Sequence, residues 1–192
     1  GSFTAQLLSE QGAKIIAVGD HTGALFNGDG FDIPSLLEHA RREHCINGFP
    51  GEAIEGDTLL EQACDILIPA ALGGVITRDN ANDVQARMVV EAANSPITTI
   101  GDEILNERNI LVVPDILANA GGVTASYFEW VQNVQAFSWD EDRVNEQLER
   151  YMRQAYQSVR SIMKKRSASM RTAAFSIAIE RVAKAEKIRG DL

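Results

Sequence analysis

The sequence predicts an α/β fold: a doubly wound, mostly parallel sheet with helices on both faces, followed by C-terminal helices. Three observations lead there. Short apolar runs recur at 14–19, 66–68, 88–90 and 110–113, each too short for a helix and rich in β-branched residues. Helical patterns at 33–45, 79–87 and 98–108 fall between them, and such alternation gives parallel βαβ units. Past residue 140 the pattern is helical only. Val144, Leu148, Tyr151, Met152, Ala155, Val159 and Ile162 fall on one stripe, and Ala174, Ile177, Ala178, Val182, Ala185 and Ile188 on another.

The elements follow in order. Residues 1–8 already read as an amphipathic helix, with Phe3, Leu7 and Leu8 on one face. A Rossmann-like unit has a strand and a glycine-rich turn before that helix. Neither stands here, so the domain reads as N-terminally truncated. Gly1 is either the last glycine of that turn or, with Ser2, an expression scar. Asp20 ends the first strand, and 21–30, rich in Gly, Asn and Asp, reads as a turn or small hairpin. Asp32 is a plausible N-cap with Pro34 in the first turn of a helix to about Cys45. Pro69 ends the strand at 66–68, and Pro114 with Asp115 ends the strand at 110–113. Asn119 to Gly122 then reads as a backbone-rich turn that a flat ligand can approach, with helix from Val123 onward. Lys164, Lys165, Arg166 and Ser167 read as a solvated helix end favoured by the macrodipole.

Composition bounds the function. A chain of 192 residues holds one well-buried domain, here 1–192 with 140–192 as its helical C-terminal segment. A net charge of −9 excludes a nucleic-acid partner, since no basic stripe is available to neutralise phosphates. Cys45 and Cys64 read as a reduced, intracellular pair, which points to the cytoplasm. No apolar run reaches membrane-spanning length, and no membrane partner is expected. His21, His39 and His44 have no metal-ligand spacing with the cysteines, so no metal is expected. No glycine-rich phosphate loop with a lysine is present, so no nucleotide hydrolase is expected.

The candidate functional residues stand where strands end. Right-handed crossovers bring those ends to one edge of a parallel sheet, where α/β folds bind nucleotides and small substrates. Asp20 offers a carboxylate that can accept both ribose hydroxyl hydrogens of an adenosine; it equally suits an ordinary turn-opening Asp. Ala70 and Ala71 either leave room for a cofactor or mark a tight strand-to-loop packing point. Asn94 and Asn119 each follow a strand with an amide that donates and accepts. Val123 and Ser126 lie three apart on one helical face. Read from the pattern alone, Ser126 is a helix serine bonded back to its own backbone.

The stretch from Pro114 through Asn119-Ala120-Gly121-Gly122-Val123-Thr124-Ala125-Ser126-Tyr127-Phe128-Glu129-Trp130 resembles the signature of glutamate dehydrogenases, within the Glu/Leu/Phe/Val dehydrogenase superfamily. Cys64 to Leu72, Val90 to Pro96, and Arg171-Thr172-Ala173-Ala174 with Glu180-Arg181-Val182 match further family segments in the same order. The resemblance implies the C-terminal, cofactor-binding domain of an enzyme that interconverts L-glutamate with 2-oxoglutarate and ammonia, using NAD or NADP. It places Gly1, Asp20, His21, Ala70, Ala71, Asn94 and Asn119 along the dinucleotide. It places Val123 and Ser126 on the substrate side chain, with the hydroxyl on its distal carboxylate. Asp20 leans towards NAD because it repels a 2′-phosphate, which His21 could instead contact. Ala92 and Ser95 stand where the family usually has glycine, so a loop needing positive φ there would be altered.

The resemblance puts the family's catalytic lysine and aspartate in a first domain that nothing here matches. The chain is therefore expected to carry no catalytic residue, to be inactive alone, and to form a hexamer only when full length. A branched-chain or aromatic amino-acid dehydrogenase of the same superfamily is the near alternative, and a non-catalytic nucleotide- or partner-binding module the distant one.

Overall fold

The computed structural model describes residues 1–190. It has two three-stranded sheets and eight helices among those residues. The first half comprises α1 (Ser2–Glu10), β1 (Ala17–Asp20), β2 (Gly23–Phe26), α2 (Ile33–Glu43), β3 (Glu52–Ile54) and α3 (Gly56–Leu60). The second comprises β4 (Ile66–Leu67), β5 (Met88–Val90), α4 (Thr99–Glu107), β6 (Leu111–Val113), α5 (Asp115–Ala118), α6 (Ala120–Gln135), α7 (Glu141–Arg166) and α8 (Met170–Arg189).

The second sheet is parallel, in the order β4-β5-β6. Its core holds Ile76, Ala81, Val84, Val89, Leu105 and Val112. The first sheet departs from the expected alternation. β1 and β2 form a hairpin in which Asp20 faces Gly23, and β3 pairs antiparallel with β2. Only His21 and Thr22 separate the two strands, so the chain reverses directly and makes no crossover. Gly23, at φ +143°, completes the turn in a conformation open to glycine. This sheet closes over a separate core of Leu25, Phe31, Ile33, Leu36 and Ile46.

The cap expected at Asp32 is present. The Asp32 side chain accepts a hydrogen bond from Ser35 N at 2.8 Å and starts α2, which ends at His44 in a left-handed cap. Thr98 caps α4, Asp140 caps α7 and Ser169 caps α8 in the same way.

Three expectations do not hold. Residues 79–87 form turns rather than a helix. Asn80 Oδ1 accepts from Thr77 N, its Nδ2 donates to Val75 O, and Thr77 Oγ1 accepts from Asp79 N. These short polar side chains satisfy the backbone locally and displace the helical pattern. Gly121 and Gly122 are not in a turn; they form the first turn of α6. A Cβ at Gly121 would stand 3.9 Å from Met152 Sδ and 4.0 Å from Leu148 Cδ1, so this turn packs directly on α7. The stripe on α8 is buried only at its start: Ala173 and Ala174 join Leu117, Val159 and Met170 in a third core, while Val182 and Ile188 are exposed.

Among the described residues no helix is long and apolar enough to cross a membrane, and no group of His, Cys, Asp and Glu is placed to hold a metal.

Candidate cofactor and substrate cleft

The parallel ladder puts the C-terminal ends of β4, β5 and β6 on one edge, and the loops leaving them interlock there. Pro69 O, just past β4, accepts from Ala92 N at 3.0 Å and Ala93 N at 2.8 Å, just past β5. Ala93 O accepts from Asn119 Nδ2 at 3.3 Å, past β6. Gly73 is held so close that an added Cβ would meet Asn94 O at 2.9 Å. The three loops are thus one surface carrying Ala70, Asn94 and Asn119.

Helix α1 roofs it. A Cβ placed on Gly1 would lie 3.7 Å from the Ala70 Cβ, so the helix starts against the end of β4 with no side chain between. The same helix packs Ala5 into the core of the first sheet, and so ties the two sheets together. A helix N-terminus over small residues at a parallel sheet edge favours an anionic ligand such as a pyrophosphate.

Asp20 and His21 lie on the first sheet, at the β1–β2 turn. The Asp20 carboxylate already has partners. Oδ1 accepts from Thr22 N at 2.7 Å and from Thr22 Oγ1, and Oδ2 accepts from Ile46 N at 2.8 Å. Burial works against its ionisation, but the hydrogen bonds from Thr22 and Ile46 outweigh that and hold its pKa below the ordinary carboxylate value. The folded-state pKa is depressed, so this group stabilises the fold above about pH 4 and loses that contribution in more acidic solution. His21 Nδ1 lies 3.9 Å from Asp20 Oδ2. The turn-opening role of Asp20 is therefore present: Thr22 fills both acceptor sites of Oδ1, and Oδ2 keeps one further lone pair for a ligand.

Ala92 and Ser95 give different answers. Ser95 has φ +45°, the left-handed conformation that glycine adopts more easily. It is held there by Ser95 N donating to Asp115 Oδ2 at 2.8 Å and by Ser95 O accepting from Gly74 N at 2.9 Å. Ala92 is not among the residues with positive φ. The loop keeps its special backbone at the one position where glycine matters.

Val123 and Ser126 are exposed on the first two turns of α6, Val123 at 75%. The back-bond expected of Ser126 is made instead by its neighbour, Thr124 Oγ1, which donates to Ala120 O at 2.8 Å. Tyr127 and Trp130 stack beside them at 6.0 Å and are half exposed or more.

The charged groups that the sequence did not assign to the site are Glu91, which is buried, and Arg171 and Asp102, which are partly buried. Glu91 closes β5 with no exposed surface. Its Oε1 accepts from Arg171 Nη2 at 2.7 Å and its Oε2 accepts from Asp115 N at 2.8 Å. Asp102 Oδ1 stands 3.1 Å from the same Arg171 nitrogen but outside hydrogen-bonding angles, an ion pair without a directed bond. Burial opposes the charge on Arg171, but the Glu91 hydrogen bond and the neighbouring carboxylates raise its pKa further above the ordinary value.

Two surface grooves contain none of these groups. One, of about 500 Å³, lies between α7 and α8 along Ser158, Ile162, Ile177 and Arg181; the other, of about 300 Å³, lies between α1 and α2.

Comparison with known proteins fits this geometry. A family model described as Glutamate/Leucine/Phenylalanine/Valine dehydrogenase matches residues 1–190. The chain belongs to this family. It is 50% identical over 192 residues to the glutamate dehydrogenase of Thermotoga maritima, covering 99% of this chain and 46% of that protein. The crystal structure of glutamate dehydrogenase from Peptoniphilus asaccharolyticus superposes with a TM-score of 0.83 at 35% identity, over all of this chain and 45% of that one. The hetero-hexameric glutamate dehydrogenase of Thermus thermophilus, in its leucine-bound form, superposes with a TM-score of 0.92 at 28% identity, over 98% of this chain and 45% of that one. The chain thus spans about half the length of the dehydrogenases it resembles.

Proposed function

We propose that these 192 residues are the C-terminal, NAD(P)-binding half of a glutamate dehydrogenase, acting within a longer cytoplasmic polypeptide that assembles as a hexamer. The observation that carries this reading is the single edge formed by Ala70, Asn94 and Asn119, with Gly1 at the start of α1 beside Ala70. Glycine at position 1 and alanine at position 70 put no large side chain there, which suits the close passage of a dinucleotide backbone.

In this reading Gly1, Ala70 and Ala71 flank the phosphates, Asp20 and His21 meet the adenosine ribose, and Asn94 and Asn119 hold the nicotinamide end. The cofactor accepts hydride from the amino acid when bound. Val123 and Ser126 form one wall of the substrate pocket, with the Ser126 hydroxyl on the distal carboxylate of L-glutamate. The exposed strand-end wall is covered by the other half of the polypeptide, which supplies the general base and excludes water on closure.

The test is the glutamate-dependent appearance of reduced nicotinamide, followed by absorbance with NAD and with NADP. The full-length protein is expected to turn over and the 192-residue chain alone is not. Turnover of leucine or phenylalanine but not glutamate would move the assignment to another branch of the family. Glutamate turnover by the isolated chain would contradict the division of labour proposed here.

A further inference from the structure

We propose that Arg171 is a positioning residue for the nicotinamide end of the cleft: acting through Glu91 and Asp115, it holds the loops that carry Asn94 and Asn119 in register. The inference rests on the cofactor-binding role proposed above.

Arg171 lies in the first turn of α8, where a cation is opposed by the helix macrodipole. Helix formation therefore does not account for it. What faces it does. Glu91 comes from the end of β5, Asp102 from α4 and Asp115 from α5, so three carboxylates from three elements converge on one guanidinium. Glu91 is fully buried, and a buried carboxylate without its cation is costly.

The cluster is wired to both ligand loops. Glu91 Oε2 holds Asp115 N at 2.8 Å. Asp115 in turn holds Ser95 N through Oδ2 at 2.8 Å, and Ser95 is the residue after Asn94 with the left-handed backbone. Asp115 O accepts from Asn119 N at 2.8 Å. One connected path thus runs from Arg171 through Glu91 and Asp115 to the backbone at Ser95 and at Asn119. Stability alone does not call for such a cluster, since apolar replacements of buried ion pairs are often neutral or better. A fixed separation of the two loops does.

Removing the cation has a specific consequence. In Arg171→Met, Glu91, Asp102 and Asp115 face one another uncompensated. The repulsion is relieved by spreading the loops, which moves Asn94 and Asn119 apart and weakens dinucleotide binding. Arg171→Met combined with Glu91→Gln removes the surplus charge while the amide oxygen still accepts from Asp115 N and the amide nitrogen can donate to Asp102.

The experiment is a fluorescence titration of full-length wild type and variants with NADH and NADPH, beside glutamate KM at saturating cofactor. Arg171→Met is expected to weaken dinucleotide binding about 10- to 100-fold, the scale on which ångström-level misplacement acts. The double variant should recover most of the affinity, and glutamate KM should change little. If Arg171→Met does not fold, Arg171→Lys, which keeps the charge but not the fork geometry, should fold and show an intermediate loss. Wild-type affinity in Arg171→Met overturns the proposal. So does an equal loss in both single and double variants, which would mean a merely structural role. Failure of the wild type to bind either dinucleotide instead removes the cofactor reading itself, and this inference with it.

Discussion

Replacing Asn119 by leucine in the full-length protein should raise the KM for the dinucleotide and lower kcat/KM about 10- to 100-fold, the cost of one buried ligand hydrogen bond and the misplacement that follows. The structure makes the reason local. Asn119 joins α5 to α6 at the end of the β6 strand, and its Nδ2 donates to Ala93 O at 3.3 Å. That bond orients the amide and leaves Oδ1 as the acceptor for a ligand, in this reading the carboxamide of the nicotinamide. Leucine has nearly the same shape and neither polar atom. It would forfeit the ligand contact and release the β5 loop that carries Asn94. The protein side of the loss is one long hydrogen bond, worth about 1 kcal/mol of stability, so the variant should remain folded with a kinetic defect. Steady-state kinetics with dinucleotide varied at saturating glutamate check this; an unchanged KM would argue against the contact.

Ser126→Val is expected to act on the other substrate. Its position on α6 is exposed, and Thr124 rather than Ser126 makes the helix back-bond. The hydroxyl is thus free for a ligand, and valine at an exposed helix position costs only about a few tenths of a kcal/mol. Glutamate kcat/KM should fall about 10- to 100-fold, because a carboxylate left without its donor is penalised beyond the lost bond. The KM for the dinucleotide should stay unchanged. An amino acid of similar length without the distal carboxylate should lose far less, since the lost donor never served it. Equal effects on the two amino acids would show that Ser126 does not meet the distal carboxylate.

The two substitutions separate the halves of the site, and the sequence foreshadowed each half unequally. The parallel ladder was legible because β4, β5 and β6 are short apolar runs stopped by Pro69, Glu91 and Pro114, and the cap at Asp32 was legible because its chemistry is local. In the first sheet the small hairpin after Asp20 was legible from the Gly-, Asn- and Asp-rich run at 21–30, but the antiparallel pairing of β2 with β3, some thirty residues on, was not, because periodicity carries no pairing information. The turns at 79–87 hid behind a helical apolar pattern that Asn80 and Thr77 override through their side chains. Gly121 and Gly122 looked like a turn because glycine disfavours helix, yet both lie in the first turn of α6, where an added Cβ would meet only ordinary contact at Gly121 and open space at Gly122.

The ion cluster was hardest to see. Glu91 and Arg171 are 80 residues apart, and a Glu after an apolar strand reads as a strand end rather than a buried charge. The one available sign was Arg171 itself, a cation at a helix N-terminus where the backbone dipole disfavours it.

The most direct test of the whole account is a crystal structure of the full-length protein with bound dinucleotide. The account predicts one continuous ligand: ribose against Asp20, phosphates at the start of α1 beside Gly1 and Ala70, and nicotinamide between Asn94 and Asn119. A dinucleotide bound elsewhere, such as the groove between α7 and α8, or one that leaves Asn94 and Asn119 untouched, would contradict it.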